Sequence, residues 1–188
     1  MPRSTEARGQ GHAAARAAAA EAILMQVDLA CILEHALAER ARGQGPLTDL
    51  LGLDAESLRA LRDRWFPEAD LPDLDAPLAP VPADQDAIAQ LILWRGGRAD
   101  DAARWLAAIL ARRSMEPRHL WEDMGLPSRV ALNEMIARVF PRLKAANSQN
   151  MRWKKFLYRQ ICSDQGFLLC LSPTCGECPE RSDCFAPE

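Results

Sequence analysis

Four cysteines stand within the last nineteen residues, as Cys170, Cys175, Cys178 and Cys184, in a C-x4-C-x2-C-x5-C spacing. Pro173, Gly176 and Pro179 fall between them, so this stretch cannot be one regular helix or strand. It reads as a loop wrapped around something small. Thiolates are soft ligands, and four of them suit an iron–sulfur cluster or a tetrahedral zinc. The central C-x2-C lets one turn present two sulfurs to one centre, and Gly176 and Pro179 are residue types that such a turn admits. Spacing alone does not separate iron–sulfur from zinc. Disulfides are the weaker reading, because the chain shows no good export signal: Glu6 accompanies Arg3 and Arg8, and Arg16 and Glu21 interrupt the alanine run. The expected location is a reducing cytoplasm, where clustered cysteines favour metal.

The 188 residues are enough for one domain with a real core. A net charge of −3 argues against nucleic-acid binding through bulk positive charge, though it leaves room for a local basic patch. No stretch approaches the roughly 20 uninterrupted apolar residues of a membrane helix; Glu21, Gln26, Asp28 and Glu34 cut the most apolar one.

Every regular element upstream of the thiols reads as helix. Residues 1–20 are expected to form a flexible N-terminal arm that passes into helix through its alanines. Residues 21–66 hold the N-terminal helices. The first carries Ile23, Val27, Ala30, Leu33 and Leu37 at helical spacing and ends at Gly43-Gln-Gly45-Pro46. Cys31 and His35 lie i,i+4 on it, a spacing that places two side chains next to each other. Such a pair is more often a core cysteine beside a partly exposed histidine than two ligands. Asp54 is a good N-cap for a second helix reaching Phe66.

Residues 67–83 hold five prolines and form an extended connector, either a hinge or a strap along one body. Residues 84–188 form the helical core, with the cluster-binding loop at 170–184. A helix starts at Asp84 or Asp86 and closes at Gly96-Gly97. Asp100 caps one that carries Trp105, Leu106, Ile109 and Leu110, with Arg104 and Arg112 pointing into water. Ser114 and Pro117 suggest the cap and first turn of a short helix over 118–124. Ser128 caps one with Val130, Met135, Ile136, Val139 and Phe140 available for the core, interrupted by Pro141.

The last helix, about 150–163, shows two stripes. Trp153, Phe156, Leu157 and Ile161 are apolar; Arg152, Lys155 and Arg159 are basic. No period-2 segment or hairpin signal occurs. The expected fold is all-α, a compact bundle of six to eight helices ending in a cysteine-rich loop.

Asn147, the run Met151-Arg-Trp-Lys-Lys-Phe-Leu-Tyr-Arg159, Cys162, Gly166 and the cysteine loop ending Cys184-Phe185 resemble the NifQ family of nitrogen-fixation proteins. His119-Leu-Trp-Glu-Asp-Met-Gly-Leu126, with Ser128-Arg129 and Phe140-Pro141, matches an upstream block of that family. The resemblance covers about residues 84–188. It implies an iron–sulfur cluster on Cys170, Cys175, Cys178 and Cys184 that also binds molybdenum. It further implies a metallochaperone-like donor of that molybdenum during assembly of the nitrogenase iron–molybdenum cofactor, and not an enzyme. The implied partners are the cofactor-assembly scaffold, the nitrogenase reductase and molybdate or another molybdenum source.

Molybdenum in such a cluster needs a non-sulfide ligand or an open position, for which Cys162 and His119 are the candidates; their ordinary readings are a packed small residue and a helix cap. The stripe of Arg152, Lys155 and Arg159 is either a solvated helix face or a device that neutralises the cluster, attracts molybdate or docks an acidic partner. Glu122 and Asp123 point about 100° apart on a helix and do not suit a shared acid–base role. Neither a nucleophile–base pair nor a phosphate-binding glycine loop occurs. The rival readings are a zinc-stabilised four-cysteine interaction module, a plain iron–sulfur redox carrier, and a DNA-repair glycosylase, whose hairpin motif is missing.

Overall fold

The computed structural model describes residues 4–165 of the chain, with side chains from 15 to 161. Every regular element among them is a helix. In chain order these are α1 (Ser4–Ala41), α2 (Leu47–Leu51), α3 (Ala55–Trp65), α4 (Ala83–Gly96), α5 (Asp101–Ser114), α6 (Leu120–Asp123), α7 (Arg129–Val139), α8 (Pro141–Ala146) and α9 (Trp153–Gln165). No described helix is long and apolar enough to cross a membrane.

The caps that start these helices are the ones their chemistry dictates. The carboxylates of Asp54 and Asp100 and the hydroxyl of Ser128 accept from the backbone N–H three residues on, at 2.7, 3.1 and 3.2 Å, satisfying donors that a first turn leaves orphaned. Pro141 does not merely end α7; it opens α8 as its first residue, where a missing N–H costs nothing. The short helix after α5 begins later than its sequence suggests. His119 is its N-cap, while Ser114 is the last residue of α5 and turns its hydroxyl back to the Leu110 carbonyl at 2.7 Å.

Helix α5 is the axis of the bundle. Ala102, Ala103, Trp105, Leu106, Ala107, Ile109, Leu110 and Ala111 are all buried, so the helix is covered nearly all round, and its alanines let neighbours approach closely. Helices α2, α3, α4 and α6 pack against it. On α1 the buried stripe is Met25, Leu29, Ile32, Leu33 and Ala36. Ile23 and Val27, expected on that face, are 62% and 54% exposed. The reason is that the polar residues of α1, among them Glu21, Gln26, Asp28, Glu34 and Glu39, are spread around it, so its own periodicity does not choose a face and packing does. Val130, expected in the core, is also exposed, because α7 buries Leu132, Met135, Ile136 and Val139 instead. Arg112 does not point into water: its Nε donates to the Asp49 carbonyl at 2.8 Å and its guanidinium pairs with Glu116 at 2.6 Å.

The proline-rich segment between α3 and α4 is a strap. Arg40 holds Asp73 through two hydrogen bonds, and the Leu47 N–H donates to the same carboxylate at 3.2 Å. Arg59 donates to the Leu74 carbonyl at 2.7 Å, the Ala79 N–H donates to Asp49 at 2.7 Å, and Leu71 is buried. A chain that cannot form a ladder with itself is thus fixed by side chains of α1, α2 and α3.

Candidate functional site: a basic cleft at the head of the last helix

The start of α9 is fixed from three sides. The buried Asn147 side chain donates to the Met151 carbonyl at 2.9 Å and accepts from its N–H at 2.8 Å, closing the turn ahead of the helix. Arg129, the first residue of α7, donates to the Asn150 carbonyl at 2.6 Å. Trp153 donates its indole N–H to Asn133 at 2.8 Å and stands edge-on to Phe156, with ring centroids 5.6 Å apart. The apolar stripe of Trp153, Phe156, Leu157 and Ile161 is buried, as its spacing predicts.

The opposite side of this junction is a cleft of about 390 Å³. Arg118, His119, Arg129, Arg152, Lys154 and Lys155 line it. One carboxylate, Glu122, shares the wall, and it already accepts from the His119 backbone N–H at 3.1 Å. Asp123, only 2% exposed, receives Arg118 Nε at 3.1 Å and Lys154 Nζ at 2.5 Å. Lys154 also donates to the Glu116 carbonyl. Asp123 is therefore a buried anchor that holds two cations at the cleft. The Arg152 guanidinium makes no hydrogen bond or ion pair among the described residues, and its Nε is buried. Trp121, also in the wall, buries its indole N–H without a partner.

Arg118 links the cleft to a second charged group in the core. His35 Nε2 lies 3.4 Å from an Arg118 nitrogen and 3.1 Å from Glu39 Oε1. Glu39 in turn receives the buried Arg113 at 2.6 Å. This is what the Cys31–His35 pair belongs to: the histidine pairs with Glu39, one turn on, and Cys31 is a free, partly buried thiol whose pKa burial pushes up. Burial likewise pushes the His35 imidazole below its ordinary value; Arg113 and Arg118 add to this and Glu39 opposes it.

A histidine held neutral by the fold favours folding above its unfolded pKa, near 6.5. That contribution is lost as pH falls through the lower folded value, because the unfolded chain binds the proton first. The urea midpoint of the native chain should therefore drop more steeply between pH 7 and pH 5.5 than that of His35→Gln. Equal drops would show that His35 does not carry the effect.

Of the residues marked out in the sequence, the structure brings His119, Arg152 and Lys155 together in this cleft. Arg159, one turn further along α9, borders a separate depression with Asn147, Gln149 and Gln160. Cys162 lies on α9 but its side chain falls outside the described residues, as do Cys170, Cys175, Cys178 and Cys184. Among the described residues no three His, Cys, Asp or Glu side chains are grouped as a metal would need. The cleft residues that sequence reading missed are Arg118, Arg129 and Lys154. A signal existed for two of them: neither α7 nor α9 has an acidic residue in its first turn, where acids are the favoured choice.

The family model of NifQ matches residues 28–186. The chain belongs to the NifQ family. It is 62% identical to the Rhodobacter capsulatus protein NifQ over 160 residues, covering 85% of this chain and 89% of that one. It is 35% identical to the Azotobacter vinelandii protein NifQ, covering 83% and 87%, and 39% identical to a NifQ homolog of Sinorhizobium fredii, covering 85% and 71%. No solved structure matches. The NifQ match takes in the cleft residues and the four clustered cysteines alike.

Proposed function

We propose that this NifQ-family chain carries an iron–sulfur cluster on Cys170, Cys175, Cys178 and Cys184, that the cluster also holds molybdenum, and that the chain donates this molybdenum to assembly of the nitrogenase iron–molybdenum cofactor. In this reading it is a carrier and not an enzyme, working in the cytoplasm, and its partners are the cofactor-assembly scaffold and the nitrogenase reductase. The observation that carries the reading is the family match, which runs through all four thiols in their C-x4-C-x2-C-x5-C spacing. Four thiolates suit iron, and a polarisable sulfur environment suits molybdenum as cargo.

The test is anaerobic purification followed by iron, acid-labile sulfide and molybdenum analysis of one sample. Wild type is expected to contain all three. Single Cys→Ala changes at each of the four positions should remove most of the iron and molybdenum, and Cys31→Ala should remove neither. Zinc without sulfide would sink the cluster reading. Iron and sulfide without molybdenum, after growth on molybdate, would leave a redox carrier.

A further inference from the structure

The sequence of the cleft wall breaks a local rule twice. The positive ends of α7 and α9 meet there through Arg129 and the run Arg152-Trp-Lys-Lys155. Basic residues at the positive end of a helix are unfavourable, and here four of them, with Arg118, face a common space in a chain whose net charge is −3. Local violations of this kind mark sites where something else must compensate. Lys154 and Arg118 are compensated by Asp123 and Arg129 is engaged at Asn150. Arg152 is not: its half-buried guanidinium has no partner among the described residues. A planar cationic fork held without an anion, beside further cations and a histidine, matches an oxygen-rich anion better than a metal cation or an apolar ligand. The cleft has room for a tetrahedral oxyanion with part of its water shell, at about 390 Å³ against the roughly 30 Å³ that one water occupies.

We propose that this cleft binds a tetrahedral oxodianion, and that its occupant is molybdate, with Arg152 as the principal contact and Lys155 and His119 beside it. The choice of molybdate over other oxodianions rests on the molybdenum-donor reading above; the anion site itself does not. The site is separate from the thiols in sequence, and it would take up the oxyanion without needing a cluster to be present.

Equilibrium dialysis of the full chain against molybdate, under anaerobic conditions, tests this with four proteins: wild type, Arg152→Gln, Lys155→Gln, and a variant with all four clustered cysteines changed to serine. Wild type and the four-serine variant should bind molybdate saturably and alike. Arg152→Gln should bind about tenfold or more weakly, the scale of a lost charged hydrogen bond. Lys155→Gln, a change at an exposed position, should also weaken binding while leaving the thermal melt unchanged, so that loss at Arg152 is not mistaken for unfolding. Three results would overturn the proposal: no saturable binding to wild type, binding lost in the four-serine variant but kept in Arg152→Gln, or displacement of molybdate by an equal concentration of sulfate. The two readings fail separately. A molybdenum-free cluster protein that still binds molybdate through Arg152 would remove the donor role and keep the anion site. A molybdenum-loaded protein whose Arg152→Gln variant binds and loads as well as wild type would do the reverse.

Discussion

Changing Glu39 to alanine should destabilise the fold by about 3–5 kcal/mol, the cost of leaving a buried charge without its partner. The Arg113 side chain is 1% exposed and that of Glu39 is 9% exposed, with Nη1 and Oε2 2.6 Å apart. Two more nitrogens of the same guanidinium, Nε and Nη2, are buried with no partner among the described residues. Arg113 is therefore already short of acceptors, and Glu39 is the carboxylate that makes its burial tolerable. Glu39→Gln should cost less, since an amide oxygen still accepts a hydrogen bond. Replacing both residues with apolar ones, as Glu39→Leu with Arg113→Met, should recover much of the loss, because burying an ion pair is seldom better than burying hydrocarbon. Urea denaturation at pH 7 measures all three. A loss below about 1 kcal/mol for the alanine variant, the range of an exposed pair, would show that water reaches Arg113 and that the pair is not buried in solution.

The second large effect is expected at Gly125. This residue sits at φ +69° in the turn between α6 and α7, against α1. A Cβ added there would stand 2.4 Å from His35 Cβ and 2.8 Å from the Cys31 carbonyl oxygen. Gly125→Ala therefore carries two penalties, a left-handed backbone of about 1–2 kcal/mol and overpacking of about 1–3 kcal/mol. The neighbour is a helix with no flexible side-chain end to give way, so the turn itself must move. Asp123 is two residues upstream, and with it move the cations that it holds at the cleft. Gly125→Ala should thus lower both the melting temperature and the affinity of the cleft for anions. Gly43→Ala is the matched control: its φ is +76°, but nothing lies within 4 Å of the added atom. Similar losses at the two positions would mean that backbone strain alone is felt, and that α1 does not press on the turn.

Elements with a chemical start signal were legible in the sequence. Asp54, Asp100 and Ser128 cap the helices that they announce, and Gly97 closes α4 in a left-handed conformation. Helices α2 and α8 were not, because five and six residues are too few for a periodicity to show. They bring the helices of the described residues to more than the six to eight expected. The buried face of α1 was misread for another reason: polar and apolar residues are both spread around this helix, and no side of it is reserved for water. The site divides the same way. His119, Arg152 and Lys155 were legible because each stands in a distinctive local run. Arg118, Arg129 and Lys154 belong to three different stretches, and only the packing of α6, α7 and α9 makes neighbours of them. Whether the proline-rich segment was hinge or strap depended on Arg40, Asp49 and Arg59, partners that lie outside it.

Among the described side chains of α1, which start at residue 15, the first buried one is Met25, and the family match begins at residue 28. Residues 15–24 are exposed on every side, apart from the Glu21 contact with Arg98 at 2.7 Å. Substitutions there meet solvent and not neighbours. Substitution in this stretch is limited by helix propensity and solubility, whereas at Met25, Leu29, Ile32, Leu33 and Ala36 a change must be accommodated by the bundle. Residues 15–24 are thus a stretch of α1 that can be recomposed without disturbing the cleft.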